Sequence, residues 1–289
     1  MTAKKHSPNI DPVTVIGFGQ EWEAFDQHSL TPTEYGLMFD QYFSEFPWED
    51  LPPDAEGFDL GCGSGRWAAL VAPRVGKLHC VDPAPAALEV CRRRLREVDN
   101  AEFHLASADD IPVPDHSQDF GYSLGVLHHI PDTPRALKDA TRKLKPGAPF
   151  LLYLYYDFEN RPVWYRWLWV ASEAGRWLIS RLPFAMKKAV TTAIATVIYW
   201  PLSRLAGALE RRGIPCHHVP LSVYRHRSFY SLRTDALDRF GTRLEQRFSK
   251  AKIREMMESA GLERITFRNG APYWCACGRR AGELTSSRS

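Results

Sequence analysis

The chain is predicted to fold as an α/β domain: a doubly wound sheet of seven strands, interrupted by a largely helical insertion before its last helix and last two strands. Three observations carry this. From Ala55 onward, short apolar runs alternate with helical segments, the pattern that produces a parallel sheet covered on both faces. The alternation stops after Tyr156 and resumes at Ser249. Between the first apolar run and the first helix stands a turn with three glycines at alternate positions, Gly61, Gly63 and Gly65.

Each element follows in chain order. Aromatics between Phe18 and Trp48 fall at helix-compatible spacings (Trp22 with Phe25, Tyr35 with Phe39, Tyr42 with Phe43 and Phe46) and predict two short helices that end at Pro47 and Pro52-Pro53, so 1–54 reads as a helical cover. Strands are expected at 56–60, 78–82, 101–105, 118–124 and 148–155, and helices at 64–72, 84–97 and 133–143, within a core unit 55–156. Lys145-Pro146-Gly147 breaks the last of these helices. Residues 157–248 form the insertion. In the returning core, 249–280, Ser249 caps a helix closed by Gly261, and strands follow at 263–268 and 273–277. A polar, frayed tail is expected at 281–289.

Composition narrows the function. A chain of 289 residues with 44% apolar content buries a substantial core, which excludes disorder and fibrous repeats. A net charge of +3 is too small for a general nucleic-acid binder. The charge is unevenly spread: Arg161 to Arg227 holds eleven Lys/Arg against Glu173 and Glu210, a local +9, while the remainder is −6. Six cysteines, at 62, 80, 91, 216, 275 and 277, form no paired framework and fit a reduced cytoplasmic interior. Cys275 and Cys277 alternate on one strand face and lack zinc-knuckle spacing; no metal site is expected. Met1 to Asp11 is polar and holds no apolar signal core, so export by an N-terminal signal is not expected.

The chemistry lies in Phe58-Asp59-Leu60-Gly61-Cys62-Gly63-Ser64-Gly65-Arg66. Without Cβ atoms the loop admits close approach of a nucleotide-like ligand. Arg66 stands where a dinucleotide fingerprint needs its third glycine, and no Gly-Lys-Ser/Thr follows for a phosphate loop. The run is similar to motif I of the class I S-adenosylmethionine-dependent methyltransferases, of the methyltransferase type 11 kind. Further elements resemble the family in order: Leu78-His79-Cys80-Val81-Asp82, Ala106-Ser107-Ala108-Asp109-Asp110-Ile111-Pro112, Gly125-Val126-Leu127-His128-His129-Ile130 and Leu144-Lys145-Pro146-Gly147. The resemblance covers 55–156 and, more weakly, 249–278. It implies a Rossmann-like sheet and S-adenosyl-L-methionine as cofactor, with Gly61, Gly63, Gly65 and Gly125 around it and Asp82 accepting from the ribose hydroxyls. For Asp59 it implies loop orientation or a water-mediated contact to the cofactor, beside the plainer reading of a loop cap. The family commonly has Asp before Ala108, where this chain has Ser107, so Ser107 or Asp109 is the candidate adenine partner.

Methyl transfer needs an aligned nucleophile, excluded water and, for a hydroxyl acceptor, a base. His128 and His129, where strand four ends, are the catalytic candidates, against a reading as loop structure. His217, His218, Tyr224, His226 and Tyr230 of the insertion face the substrate in one reading and are packing or surface groups in the other; Asp157 follows the fifth strand at a position where substrate-binding groups often sit, and none of the six is taken as catalytic. In the insertion, apolar residues at 164, 167, 168, 171, 174, 178 and 182 describe an amphipathic helix. Residues 189–202 are almost wholly apolar, contain Pro201, and are too short to span a bilayer. Five of nine tryptophans (164, 167, 169, 177, 200) lie here among basic residues. Two readings stand: a lid that meets the inner membrane face through 163–205, or a soluble lid packed on the core or on a second subunit in a homo-oligomer. The dense 233–248 stretch is expected to pack over the cofactor pocket, with Trp22, Phe25 and Gln27 opposite.

The leading function is methyl transfer to an oxygen of a small or amphiphilic acceptor. The alternatives are a non-catalytic cofactor-binding scaffold and a nucleic-acid methyltransferase. The last lacks an Asp/Asn-Pro-Pro-Tyr/Phe signature.

Overall fold

A computed structural model describes residues 8–27, 30–217 and 219–282. The apolar runs become β1 (Glu56–Leu60), β2 (Lys77–Asp82), β3 (Ala101–Leu105), β4 (Phe120–Leu124), β5 (Pro149–Tyr153), β6 (Leu262–Phe267) and β7 (Cys275–Arg280). They form one sheet in the order β3-β2-β1-β4-β5-β7-β6. The first five run parallel, and β7 lies antiparallel between β5 and β6. Strand order reverses between β1 and β4, which opens a crevice at their carboxyl ends.

The helices are α1 (Pro12–Ala24), α2 (Pro32–Tyr42), α3 (Ala68–Val71), α4 (Pro85–Arg94), α5 (Thr133–Arg142), α6 (Val163–Ile179), α7 (Phe184–Ile194), α8 (Trp200–Arg211), α9 (Phe229–Gly241) and α10 (Lys250–Ser259). Local chemistry starts several of them. Thr31 and Ser249 hydroxyls accept the backbone N–H of Glu34 (3.2 Å) and Lys252 (3.1 Å), and the Asp132 carboxylate accepts that of Arg135 (3.0 Å). The helix expected over 64–72 is shorter than its pattern, because Gly61, Gly63 and Gly65 hold positive φ and Pro73 cannot continue the ladder. Pro201, by contrast, does not end its helix. A π turn over Ala195–Tyr199 joins α7 to α8, and the wider turn absorbs the missing N–H and the ring. The last strand starts at Cys275, two residues later than expected, and runs on to Arg280.

Each sheet face has its own core. Phe58, Leu60, Leu137, Phe150 and Met257 fill one side; Leu78, Tyr122, Leu151, Phe39 and Phe43 fill the other, so α2 belongs to the core. All six cysteines are free and buried. At the centre, β1 and β4 interlock through paired glycines. Gly57 faces Phe120 and Phe58 faces Gly121, and a Cβ on either glycine would lie 2.4 or 2.5 Å from the opposing ring. Gly121→Ala is therefore expected to destabilise the fold by about 1–3 kcal/mol. Gly175→Ala, in α6 with nothing within 4 Å, should be neutral or slightly stabilising. Urea midpoints of the two variants check the contrast.

The insertion, α6 to α9, packs on a small core of Ala195, Tyr199, Leu232 and Ala236. Charge pairs link its own helices and the stretch that follows them: Glu173 accepts Arg176 (2.6 Å) and Arg239, while the Glu245 side chain accepts Arg239 (3.2 Å) and Arg247 (2.8 Å). Arg247 also donates to the Tyr156 carbonyl just beyond β5. Among the described residues, no helix is long and apolar enough to cross a membrane. The polar start Met1–Ser7, His218 and tail residues 283–289 lie outside the described residues.

Candidate active site

The carboxyl ends of β1, β2, β4 and β5 open into a cavity of about 970 Å³, roofed by α1, α2 and the insertion. Its floor is the glycine turn. Gly61 (φ +79°) and Gly63 (φ +54°) line the wall, and a Cβ there would meet Val126 at 2.4 Å or the Trp22 indole at 2.9 Å. Gly65 (φ +72°) lies behind the wall, where a Cβ would strike Cys91 of α4 at 2.7 Å; its part is close packing of the turn on the helix. The Gly61 and Cys62 N–H groups donate to the Val81 carbonyl at 2.7 and 3.1 Å, which anchors the turn to β2.

Asp82 ends β2 on the cavity wall. Its carboxylate oxygens accept the N–H of Gly63 (2.9 Å) and of Ala84 (2.8 Å), so one side chain sets both loops of the crevice. Each oxygen keeps a further lone pair for a ligand hydroxyl. Burial pushes this carboxyl up to about 6, against backbone hydrogen bonds that hold it down. Two buried polar atoms on the same wall, Ser64 Oγ and Gln27 Nε2, have no hydrogen-bond partner among the described residues. A cradle that a Cβ would fill, a paired-acceptor carboxylate and unsatisfied polar atoms fit a polar ligand of adenosyl type.

The other expected contacts divide. Ala108 and Gly125 (φ +80°, at the end of β4) line the cavity. Ser107 and Asp109 do not line it. Ser107 donates to Asp109 (2.6 Å), and Asp109 also accepts the Asn9 N–H (3.1 Å) and faces Arg135 at 3.5 Å, bracing the N-terminal segment on the core. Asp59 also lies off the wall, buried beneath the turn beside the Tyr122 phenol, and burial raises its carboxyl well above the ordinary range.

The histidine pair is split by one turn of chain. His128 is fully buried, stacked on Tyr155 with ring centroids 3.9 Å apart; both its nitrogens lack partners, and burial lowers its proton affinity, as does neighbouring His129. His129 lines the cavity. Its Nδ1 lies 2.7 Å from the Leu244 carbonyl, which can only accept, so Nδ1 carries the proton and Nε2 keeps its lone pair, buried and without a partner among the described residues. Opposite Nε2, at 3.7 Å, is Asp238 Oδ1, itself without a hydrogen-bond partner; Asp238 Oδ2 accepts the Tyr155 hydroxyl.

Sequence reasoning did not single out Glu21 of α1, Tyr155 just beyond β5, or Asp235 and Asp238 of α9; Tyr155 and Asp238 adjoin His129, and Glu21 and Asp235 lie near Asp238. All four line the cavity. Burial and the neighbouring carboxylates raise Glu21, and Asp235 is pushed up to about 6 by burial and then by Asp238. The 235/238 spacing on one helix face was the available signal. Trp22 and Gln27 do form the opposite wall, while Phe25 packs behind it on Tyr230, whose hydroxyl accepts the Gln27 N–H (2.9 Å). Tyr224 and His226 also line the cavity, and His226 pairs with Glu210 at 2.8 Å. Asp157 accepts the Glu159 N–H (3.1 Å), and the His217 carbonyl accepts from Arg161 (2.5 Å). Away from the cavity, on the β2–β3 face, His79, Glu102 and His104 place ligand-type atoms within 4.8 Å of one another; His79 is engaged with His104 (2.9 Å) and Glu56 (2.7 Å).

Comparison with known proteins finds methyltransferases. Residues 58–152 match the family model of a methyltransferase domain, about a third of the chain. A 2-phytyl-1,4-naphtoquinone methyltransferase of Thermosynechococcus vestitus is 34% identical over 137 residues, covering 44% of this chain and 60% of that protein. A demethylmenaquinone methyltransferase of Symbiobacterium thermophilum is 28% identical over 154 residues, 51% of this chain and 55% of that one. The chain thus spans a little over half the length of these relatives. Among solved structures, a possible exported protein of Bordetella parapertussis superimposes with a TM-score of 0.52 at 14% identity, covering 91% of this chain and 79% of that one. A phosphoethanolamine N-methyltransferase of Haemonchus contortus does so with 0.50 at 17% identity, covering 88% and 43%. These likenesses establish the shared fold.

Proposed function

With residues 58–152 belonging to the methyltransferase-domain family, we infer that the protein transfers a methyl group from S-adenosyl-L-methionine to an oxygen of a small or amphiphilic acceptor held in the cavity. The cofactor supplies a methyl already activated by its sulfonium charge. The chain's own residues bind, orient and deprotonate. Gly61, Gly63, Asp82, Ala108 and Gly125 hold the cofactor directly; Gly65, Asp59, Ser107 and Asp109 support the loops that do so.

The observation that carries the acceptor chemistry is the gap of 3.7 Å between His129 Nε2 and Asp238 Oδ1, both on the wall and both unsatisfied. An acceptor hydroxyl that reaches Nε2 gives its proton to His129, and Asp238, 3.7 Å from Nε2, stabilises the resulting imidazolium. His128 acts behind it, packing Tyr155 in position. The insertion excludes water, which strengthens each of these interactions. Two relatives named for quinone-type acceptors, one bearing a phytyl group, support an amphiphilic acceptor. Six free, buried cysteines support a reducing, cytoplasmic setting.

Calorimetric titration of the purified protein with S-adenosyl-L-methionine is expected to release heat. Incubation with methyl-labelled cofactor and a cell extract should move label into a solvent-extractable small molecule. No heat overturns the cofactor assignment, and heat without labelled product overturns the transfer.

A further inference from the structure

Soluble helices turn their apolar stripe to the core; here two helices turn it outward. Of nineteen exposed large apolar side chains among the described residues, fifteen lie between Val163 and Val223. On α6, Val163, Trp164, Trp167, Val170, Trp177 and Leu178 are each 49–69% exposed, and their spacing places them on one side of the helix. The continuous α7–α8 helix adds Met186, Val190, Val197 and Trp200. An apolar face of this extent marks an interaction surface.

Charge selects the occupant. The stretch from Arg161 to Arg227, which holds α6 to α8, carries eleven Lys/Arg and two acids. Both acids are engaged, Glu173 by Arg176 and Arg239, and Glu210 by Arg225 and His226. Two exposed tryptophans lie under cations: Arg181 is 4.1 Å over Trp177, and Arg204 is 4.2 Å over Trp200. A second copy packed by two-fold symmetry would bring one +9 segment against another. Anionic headgroups above an acyl region satisfy both features at once.

The cavity opens on the same side. Leu168, Ile198 and Val223 of the insertion, and Leu37 of α2, line the cavity and are 40–55% exposed, so its mouth has an apolar rim.

We propose that the outward faces of α6 and α7–α8 dock the protein on an anionic lipid bilayer, with the cavity mouth toward the membrane so that the acceptor enters from the lipid. The route of entry rests on the methyl-transfer reading; the docking does not.

Co-sedimentation of the full chain with phosphatidylglycerol/phosphatidylcholine vesicles tests it. The wild type is expected in the pellet, with less binding to phosphatidylcholine alone and at high salt. Trp164→Gln/Trp167→Gln/Trp177→Gln, none of which lines the cavity, should lower partitioning by about tenfold or more while releasing the wild-type heat with cofactor. Lipids brominated on the acyl chain should quench wild-type tryptophan emission, a readout independent of any variant. Wild type that stays in the supernatant, a folded triple variant that partitions equally, or absence of quenching overturns docking. A dimer that the triple substitution abolishes, without vesicle binding, assigns the face to a second copy instead. Vesicle binding without cofactor heat removes the transferase reading and leaves docking standing; cofactor heat and methyl transfer without vesicle binding do the reverse.

Discussion

His129→Ala is expected to reduce methyl transfer by about 10²–10⁴-fold with little change in cofactor affinity. The argument is geometric. The Leu244 carbonyl 2.7 Å from Nδ1 leaves Nε2 as the ring atom available to the cavity, and Asp238 stands 3.7 Å beyond it. Removing the imidazole removes the proton acceptor without touching Gly61, Gly63 or Asp82. Asp238→Asn should show a smaller loss, since it weakens stabilisation of the imidazolium but keeps the base. His128→Gln separates the two histidines: its side chain is buried against Tyr155, so its cost should fall on thermal stability more than on turnover. Labelled-methyl turnover beside calorimetric affinity measures all three. Unchanged turnover in His129→Ala would remove this residue from the mechanism.

Asp82→Ala is expected to weaken cofactor binding by at least about 100-fold, the loss of two charge-assisted hydrogen bonds at about 1.5 kcal/mol or more each. The same carboxylate accepts the Gly63 and Ala84 N–H groups, so the variant also loosens the crevice. A pH titration of the wild type tests the charge without mutation. Burial raises Asp82 from 3.8 to about 6. In the proposed role, Asp82 ionised above that value would accept from both ribose hydroxyls, so affinity should hold at neutral pH and fall as pH drops through about 6. Its effect on stability has the opposite sign. The folded state takes up this proton at higher pH than the unfolded chain does, so this group favours folding at low pH and costs stability as pH rises from about 4 through 6. Lost binding at pH 5 with the fold intact is thus the signature of Asp82. Calorimetry from pH 5 to 8, with circular dichroism at each pH, records both.

Legibility in the sequence differed by element for physical reasons. The strands were readable as short apolar-bearing runs between helical segments and turn residues, and β1 and β3 have their expected bounds. The α3 region was overestimated because its apolar pattern is helical while the glycines before it and Pro73 are not. The π turn that carries Pro201 inside a continuous helix left no signal in the sequence pattern. The glycine crevice and Asp82 were legible since their roles depend on neighbours close in the chain. Glu21, Tyr155 and Asp238 were not, because they come together only when α1, the segment after β5 and α9 do.

The sequence by itself therefore determined the sheet, the crevice at its switch point and the carboxylate that closes it, because backbone freedom at glycine and strand-end position are local properties. Tertiary structure alone decided that His129 rather than His128 faces the cavity, and that the apolar stripes of α6 and α7–α8 point outward. Periodicity states that a helix has an apolar side; only packing against the rest of the chain settles whether anything covers it.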